Sequence, residues 1–169
     1  MTSPIGNRRG GFTLVELTIA IFIMATLLAI AAPSFVRSFN SAQLSAAGRS
    51  LATMCQLARL QAALQQRPAE LHVSLDEQDF WVSQRHATED GDQREVVIRR
   101  LEVPDRVTMV SAQLPDEPAR KDGEVTIRFY PNGTCDALTV MLQGRERGEA
   151  VAVMIDPVTA RAEVQVIKG

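Results

Sequence analysis

Histidine and cysteine are scarce in this chain, two of each in 169 residues, and neither occurs at a spacing that makes a metal site. Cys55 and Cys135 stand far apart, with no CxxC and no Cys/His pair, which argues against zinc or another bound metal. There is no Gly-rich phosphate loop, and no serine or cysteine in a nucleophile motif. An enzymatic reading therefore has nothing to stand on, and neither a catalytic residue nor a cofactor is expected. His72 and His86 are single residues for which packing or surface roles are expected. An excess of positive charge is missing too: 18 Lys and Arg against 20 Asp and Glu give a net charge of −2, which disfavours a general nucleic-acid binder. No internal repeat or low-complexity tract appears, and the length suits one modest domain with an appendage.

What the chain does have is an uneven distribution of apolar residues. From Leu17 to Ala32 no residue is charged, and residues 12–32 would make about 31 Å of helix, enough to cross a bilayer. Residues 1–11 are polar and carry Arg8 and Arg9 without an acid, so the positive-inside rule keeps them cytoplasmic. A cleaved secretory signal is the plain alternative, since Ala29-Ile30-Ala31 offers a small-x-small site. Against it, the run is long for a signal core, continues into a helical pattern and contains Glu16. A carboxylate at the centre of a bilayer costs about 2.5–3.5 kcal/mol and less near its edge, and such groups usually have a partner.

The stretch Gly10-Gly11-Phe12-Thr13-Leu14-Val15-Glu16-Leu17 resembles the prepilin processing signature of type IV pilin-like proteins. That resemblance implies cleavage between Gly11 and Phe12 by a prepilin peptidase, N-methylation of Phe12, and a role for Glu16 in subunit docking. A free amine on Phe12 would lie one helical turn from Glu16, and the two charges at about 4 Å attract by ~4 kcal/mol at intermediate dielectric, within one chain or between neighbours. The pair Arg8-Arg9 lacks the following residues that a twin-arginine signal prefers.

Pro33 predicts a kink where the uncharged segment ends. Beyond it Phe35, Val36, Phe39, Leu44, Ala47, Leu51, Met54, Cys55, Ala58 and Ala62 follow the three-and-four spacing of one apolar helical stripe, and Pro68 marks the stop. The small residues Ala42, Ala46, Ala47 and Gly48 suggest close approach of another helix. After Pro68 the pattern becomes strand-like. Strands are expected at residues 70–75, 79–84, 95–102, 107–111, 124–130, 137–142, 150–155 and 160–167, with exposed loops at 88–94 and 115–123. The organisation is then a leader at 1–11, a transmembrane helix at 12–32, an amphipathic continuation at 33–67 and a β-rich head at 68–169. The fold class is α+β, with a long N-terminal helix packed on antiparallel sheets.

The run Val125 to Thr134, a strand ending in Phe129 and the turn Pro131-Asn132-Gly133 before a closing hairpin, resembles the C-terminal half of H-type pseudopilins of type II secretion (GspH), which share a family with FimT-type minor pilins. The resemblance implies a minor pseudopilin in a short periplasmic filament that promotes protein export across the outer membrane. Its implied partners are the prepilin peptidase, other major and minor pseudopilins, an inner-membrane assembly platform and, before assembly, membrane lipid. The implied location is the bacterial inner membrane, single-pass, with a cytoplasmic N-terminus and a periplasmic head, and then the periplasmic pseudopilus. The alternative is a FimT-like minor pilin for DNA uptake or pilus assembly. Arg145 and Arg147 in Gly144-Arg145-Glu146-Arg147-Gly148 are candidate phosphate contacts for that alternative. Glu146 and Glu149 dilute their charge and the run precedes a hairpin strand, so a solvated turn is the preferred reading. Cys55 and Cys135 admit two readings: a disulfide closing a loop of about 80 residues, at an upper figure of ~4.5 kcal/mol, or two buried thiols acting as small hydrophobes.

Overall fold

The computed structural model describes residues 13–87, 93–144 and 148–168, with the backbone alone at residues 31–40, 87, 93 and 168. Two units divide the chain, one ending at Ser38 and one beginning at Phe39. A single helix, α1 (Leu14–Gln65), contributes to both. Its backbone stays helical through the expected kink at Pro33.

In the first unit the described side chains of α1 are exposed and, apart from Glu16, Thr18 and Thr26, apolar: Leu14, Phe22 and Leu28 are 80%, 73% and 71% accessible. The hydroxyls in this stretch are satisfied inside the helix, Thr18 donating to the Val15 carbonyl and Thr26 to the Phe22 carbonyl, each at 2.8 Å. Among the described residues, no helix is long and apolar enough to cross a membrane.

The second unit folds around the other part of α1. Leu44, Ala47, Leu51, Met54, Cys55, Ala58 and Ala62 are each 3% exposed or less, so the described part of the predicted stripe is the face that enters the core. The helix ends two residues before the expected stop, because Gln66 takes the left-handed conformation at φ 52°. Its side-chain amide donates to the Ala63 carbonyl at 2.7 Å, satisfying one of the carbonyls that a helix terminus leaves open.

Eight strands follow: β1 (Ala69–Ser74), β2 (Asp79–Ala87), β3 (Gln93–Glu102), β4 (Val107–Gln113), β5 (Glu124–Phe129), β6 (Leu138–Gly144), β7 (Glu149–Ile155) and β8 (Ala162–Lys168). They form two four-stranded antiparallel sheets, in the orders β3-β2-β1-β5 and β4-β6-β7-β8. Alternate residues of β5 are buried, Val125, Ile127 and Phe129, as a strand with one core face requires. In β1 every residue is buried, since it lies between β2 and β5 and both its faces are covered. Side chains of both sheets and of α1 meet in one hydrophobic cluster that includes Phe80, Phe129, Leu71 and Ile127. Each such side chain contributes about 1.5–3 kcal/mol by leaving water.

Two expectations change. The loop predicted over 88–94 ends earlier, because Gln93 and Arg94 extend the hairpin by pairing with Ala87 and His86; residues 88–92 lie outside the described residues. Gly48 is buried, but its close neighbours are strands rather than a second helix. A Cβ there would stand 3.0 Å from Val164 and 3.1 Å from Val151, while Ala42 and Ala46 are exposed.

Candidate functional site

The N-terminus of α1 is built by Thr13. Its hydroxyl accepts from the Glu16 backbone N–H at 3.2 Å, and its carbonyl accepts from Leu17 at 3.1 Å. Thr13 is therefore the N-cap, and Glu16 is the acid of the first turn, where the positive end of the helix dipole favours a carboxylate. The sequence pattern Thr-x-x-Glu is that of a capping box, a local role for Glu16 beside the docking role that the resemblance implies. Gly11 and Phe12 lie outside the described residues, as do Arg145 and Arg147. The turn that would carry the two arginines joins β6 to β7, where a hairpin was expected.

In the head the turn Pro131-Asn132-Gly133 is closed by Gly133 N–H donating to the Tyr130 carbonyl at 3.0 Å, with Gly133 at φ 88°. Asn132 Oδ1 accepts from the Thr134 amide and hydroxyl at 3.1 and 2.8 Å. The chain then runs back along the outer side of β5: Cys135 bridges Phe129, Asp136 N–H donates to the Arg128 carbonyl at 3.0 Å, and Arg128 N–H donates to Asp136 Oδ2 at 2.9 Å. This segment crosses from one sheet to the other. Cys55 and Cys135 are both buried free thiols. Burial, with the neighbouring Cys135 second, pushes Cys55 up to about 12. Burial and then the charges of Asp136 and Asp156 push Cys135 up to about 11. Thiols held protonated in this way are poor nucleophiles.

Two polar clusters escaped the sequence reading. His72 lies with Nδ1 2.6 Å from Glu124 and Nε2 2.9 Å from the Ser83 hydroxyl, and its ring stacks on Trp81 at 4.8 Å. Glu95 is 3.3 Å away, and Arg100 covers the other side of Trp81 at 4.3 Å. Arg85 and Arg128 hold the buried Glu70. Among the described residues, no group of His, Cys, Asp and Glu could hold a metal ion. The second cluster is a single side chain, Gln78, at φ 56°. Its Oε1 accepts from Met109 N–H at 2.6 Å, and its Nε2 donates to the Met109 carbonyl at 3.2 Å and the Leu75 carbonyl at 2.6 Å. Gln78 thus imitates a paired strand residue beside the bulge at Val110 of β4, and joins the two sheets.

Compared with known families, residues 47–159 match the family described as type II transport protein GspH. The chain belongs to the GspH family. Residues 6–32 separately match the prokaryotic N-terminal methylation motif. By structure the chain is similar to the minor pseudopilin EpsH from the type II secretion system of Vibrio cholerae, in two structures with TM-scores of 0.53 and 0.55. Their identities are 13% and 12%, over 75% of this chain and 97% and 95% of theirs. It is also similar to the type IV minor pilin FimU of Pseudomonas aeruginosa, with TM-score 0.51 and 16% identity over 74% of this chain and 90% of that one. At these identities the structural likeness speaks for the fold, which is pilin-like α+β. By sequence alone the chain has no match among curated proteins. A GspH-type pseudopilin is a structural subunit, and the methylation motif implies processing by prepilin peptidase and assembly with other pseudopilins.

Proposed function

We propose that this pseudopilin serves type II secretion: it is cut between Gly11 and Phe12, methylated on Phe12, held in the inner membrane by residues 12–32, and assembled into a short periplasmic pseudopilus that promotes export across the outer membrane. The observation that carries the reading is the coexistence in one chain of a methylation motif over 6–32 and a GspH head over 47–159. The exposed apolar start of α1 supports it, because a helix apolar on all sides is covered by lipid or by other subunits. In this reading Glu16 neutralises the amine of a neighbouring Phe12 as subunits leave the bilayer, and the assembly platform and the other pseudopilins receive the subunit there.

The test is the intact mass and N-terminal sequence of the mature protein from cells that have a prepilin peptidase. A chain starting at N-methylated Phe12 is expected, and one starting at Ala32 or Pro33 would make this an ordinary exported domain. A role in a type IV pilus, including DNA uptake through Arg145 and Arg147, is the second reading, favoured by the likeness to FimU. Deletion of the gene separates the two, since loss of exported enzymes with normal pili supports secretion and the reverse supports the pilus.

A further inference from the structure

We propose that the outer face of α1 in the head is a seat for the uncharged apolar start of α1 from a neighbouring pseudopilin. At 3.6 residues per turn, positions 50, 53, 57, 60 and 64 fall on one seam with the alternating three-and-four spacing of a helix-pairing stripe. In this chain they are Ser50, Thr53, Leu57, Leu60 and Leu64. The seam lies on the far side of the helix from Leu51, Cys55, Ala58 and Ala62, which enter the core. Leu60 and Leu64 are 54% and 67% accessible and are the only exposed leucines among the described residues of the second unit. Leu57 is half-buried at the margin of the core. Thr53 is exposed, and its hydroxyl donates to the Arg49 carbonyl at 2.9 Å, so it needs no polar partner from outside. Toward the N-terminus the same side carries the exposed Ala42 and Ala46, too small to hold another helix away. Arg49 stands at the edge of the seam, and between it and Arg67 the one charge on the helix is Arg59, more than a third of a turn off the seam. The outward face of a surface helix is ordinarily charged, so a leucine seam there marks a contact.

The occupant follows from the chemistry of the seam. A stripe without charge, on a helix that can be approached closely, fits an apolar helix. This chain carries one: residues 14–30 of α1 are exposed and, apart from Glu16, uncharged, within a methylation motif that implies assembly with other pseudopilins. Residues 14–30 make about 24 Å of helix and the stretch from Ala42 to Leu64 about 33 Å, long enough to take it. The contact is heterologous, the start of one helix against the middle of another, so it does not close into a dimer but repeats along an open array. A subunit leaving the bilayer exchanges lipid for the leucines of its neighbour. The outer face of the first sheet offers no such surface, being occupied by ion pairs around Glu70 and His72. The seat rests on the assembly proposed above, in whichever machine it takes place.

The experiment places the photo-crosslinker benzoylphenylalanine at Leu60, at Leu64 and, as a control off the helix, at the exposed Val158 of the full chain. It is activated in cells that assemble the filament, and mass spectrometry maps the joined residues. The expected product links Leu60 and Leu64 positions to the apolar N-terminal helix of another pseudopilin, and the Val158 position does not give it. Leu60→Glu combined with Leu64→Glu should lower recovery of that pseudopilin with the chain about tenfold or more, while Tm of the full chain in detergent stays within about 2 °C of wild type. Linkage to lipid, to a strand or loop of another head, or to nothing overturns the seat, as does the same product from Val158. A double variant that co-purifies like wild type also overturns it, and so does one that melts well below wild type, since its leucines would then serve their own head. The N-terminus is sequenced alongside: a chain methylated at Phe12 without the crosslink refutes the seat alone, and one starting at Ala32 or Pro33 refutes the assembly on which it rests.

Discussion

Gln78 allows the joint between the sheets to be measured with one side chain. Its amide satisfies both backbone groups of Met109, a residue 2% exposed, and also the Leu75 carbonyl. Truncation by Gln78→Ala removes three hydrogen bonds and leaves at least one buried N–H without a partner. At about 1 kcal/mol per bond and 1–3 kcal/mol for an orphaned buried group, the loss should be about 3 kcal/mol, or roughly 10 °C in Tm for a domain of this size. Gln78→Gly makes the same deletion but relieves the left-handed backbone, worth about 1 kcal/mol, so it should be the milder of the two. Gln78→Glu keeps the acceptor for Met109 N–H but points a carboxylate at two carbonyls. The folded state then disfavours the charged form and raises that carboxyl's pKa, so the variant should be weak at neutral pH and recover as pH falls and the acid becomes a donor. Urea unfolding of residues 39–169, followed by far-ultraviolet circular dichroism, gives the order wild type, Gly, Ala at pH 7. The reasoning fails if Ala lies within 0.5 kcal/mol of wild type, or if Gly is no better than Ala.

Gly48→Ala gains about 1 kcal/mol of helix propensity but forces a methyl to 3.0 Å from Val164 and 3.1 Å from Val151. Gly48→Val adds more bulk for a smaller gain in helix propensity and should lower stability by about 1–3 kcal/mol, read by the same urea titration. Asp156 accepts from the Val158 and Thr159 amides at 2.8 Å each, and the Thr159 bond first of all holds its carboxyl below the ordinary range. A depressed folded pKa stabilises above the unfolded value and is lost as pH falls through the folded one. Asp156→Ala should therefore lower Tm at pH 7, and its gap to wild type should close at acid pH. His72→Leu takes the imidazole away from the buried Ser83 hydroxyl and removes the ring contact to the one tryptophan; a loss of about 2 kcal/mol and altered Trp81 fluorescence are expected. Glu16→Ala should leave the head as stable as wild type while assembly and secretion fail, which a secretion assay reads directly.

The sequence carried the local parts of the fold well. The three-and-four pattern from Leu44 to Ala62 is the buried face of α1, and each predicted strand overlaps an observed one. Periodicity and turn residues are short-range signals, and the Pro131-Asn132-Gly133 turn is stated by residues that touch one another. Gln78 gave no such signal, because its role depends on Met109, 31 residues away, at a bulge that no propensity marks. His72 likewise meets Glu95 and Glu124 only because the order β3-β2-β1-β5 brings three separate segments side by side. Gly11, Phe12 and Glu16, proposed for processing and assembly, lie in the stretch that matches the N-terminal methylation motif, a signal carried by contiguous residues that can be read without the fold.

Gly48 sits on an early turn of the head's helix, and the strands that leave it no room for a side chain, β7 and β8, are the last to arrive. The beginning of the head is therefore completed by its end. A ribosome or translocon releasing this chain in order would release a helix with an uncovered groove until β8 emerges, so closure of the second sheet becomes a report that the whole subunit has been delivered. Truncation by a single strand at the C-terminus should expose the middle of α1 to proteolysis, a form of quality control written into the order of the elements.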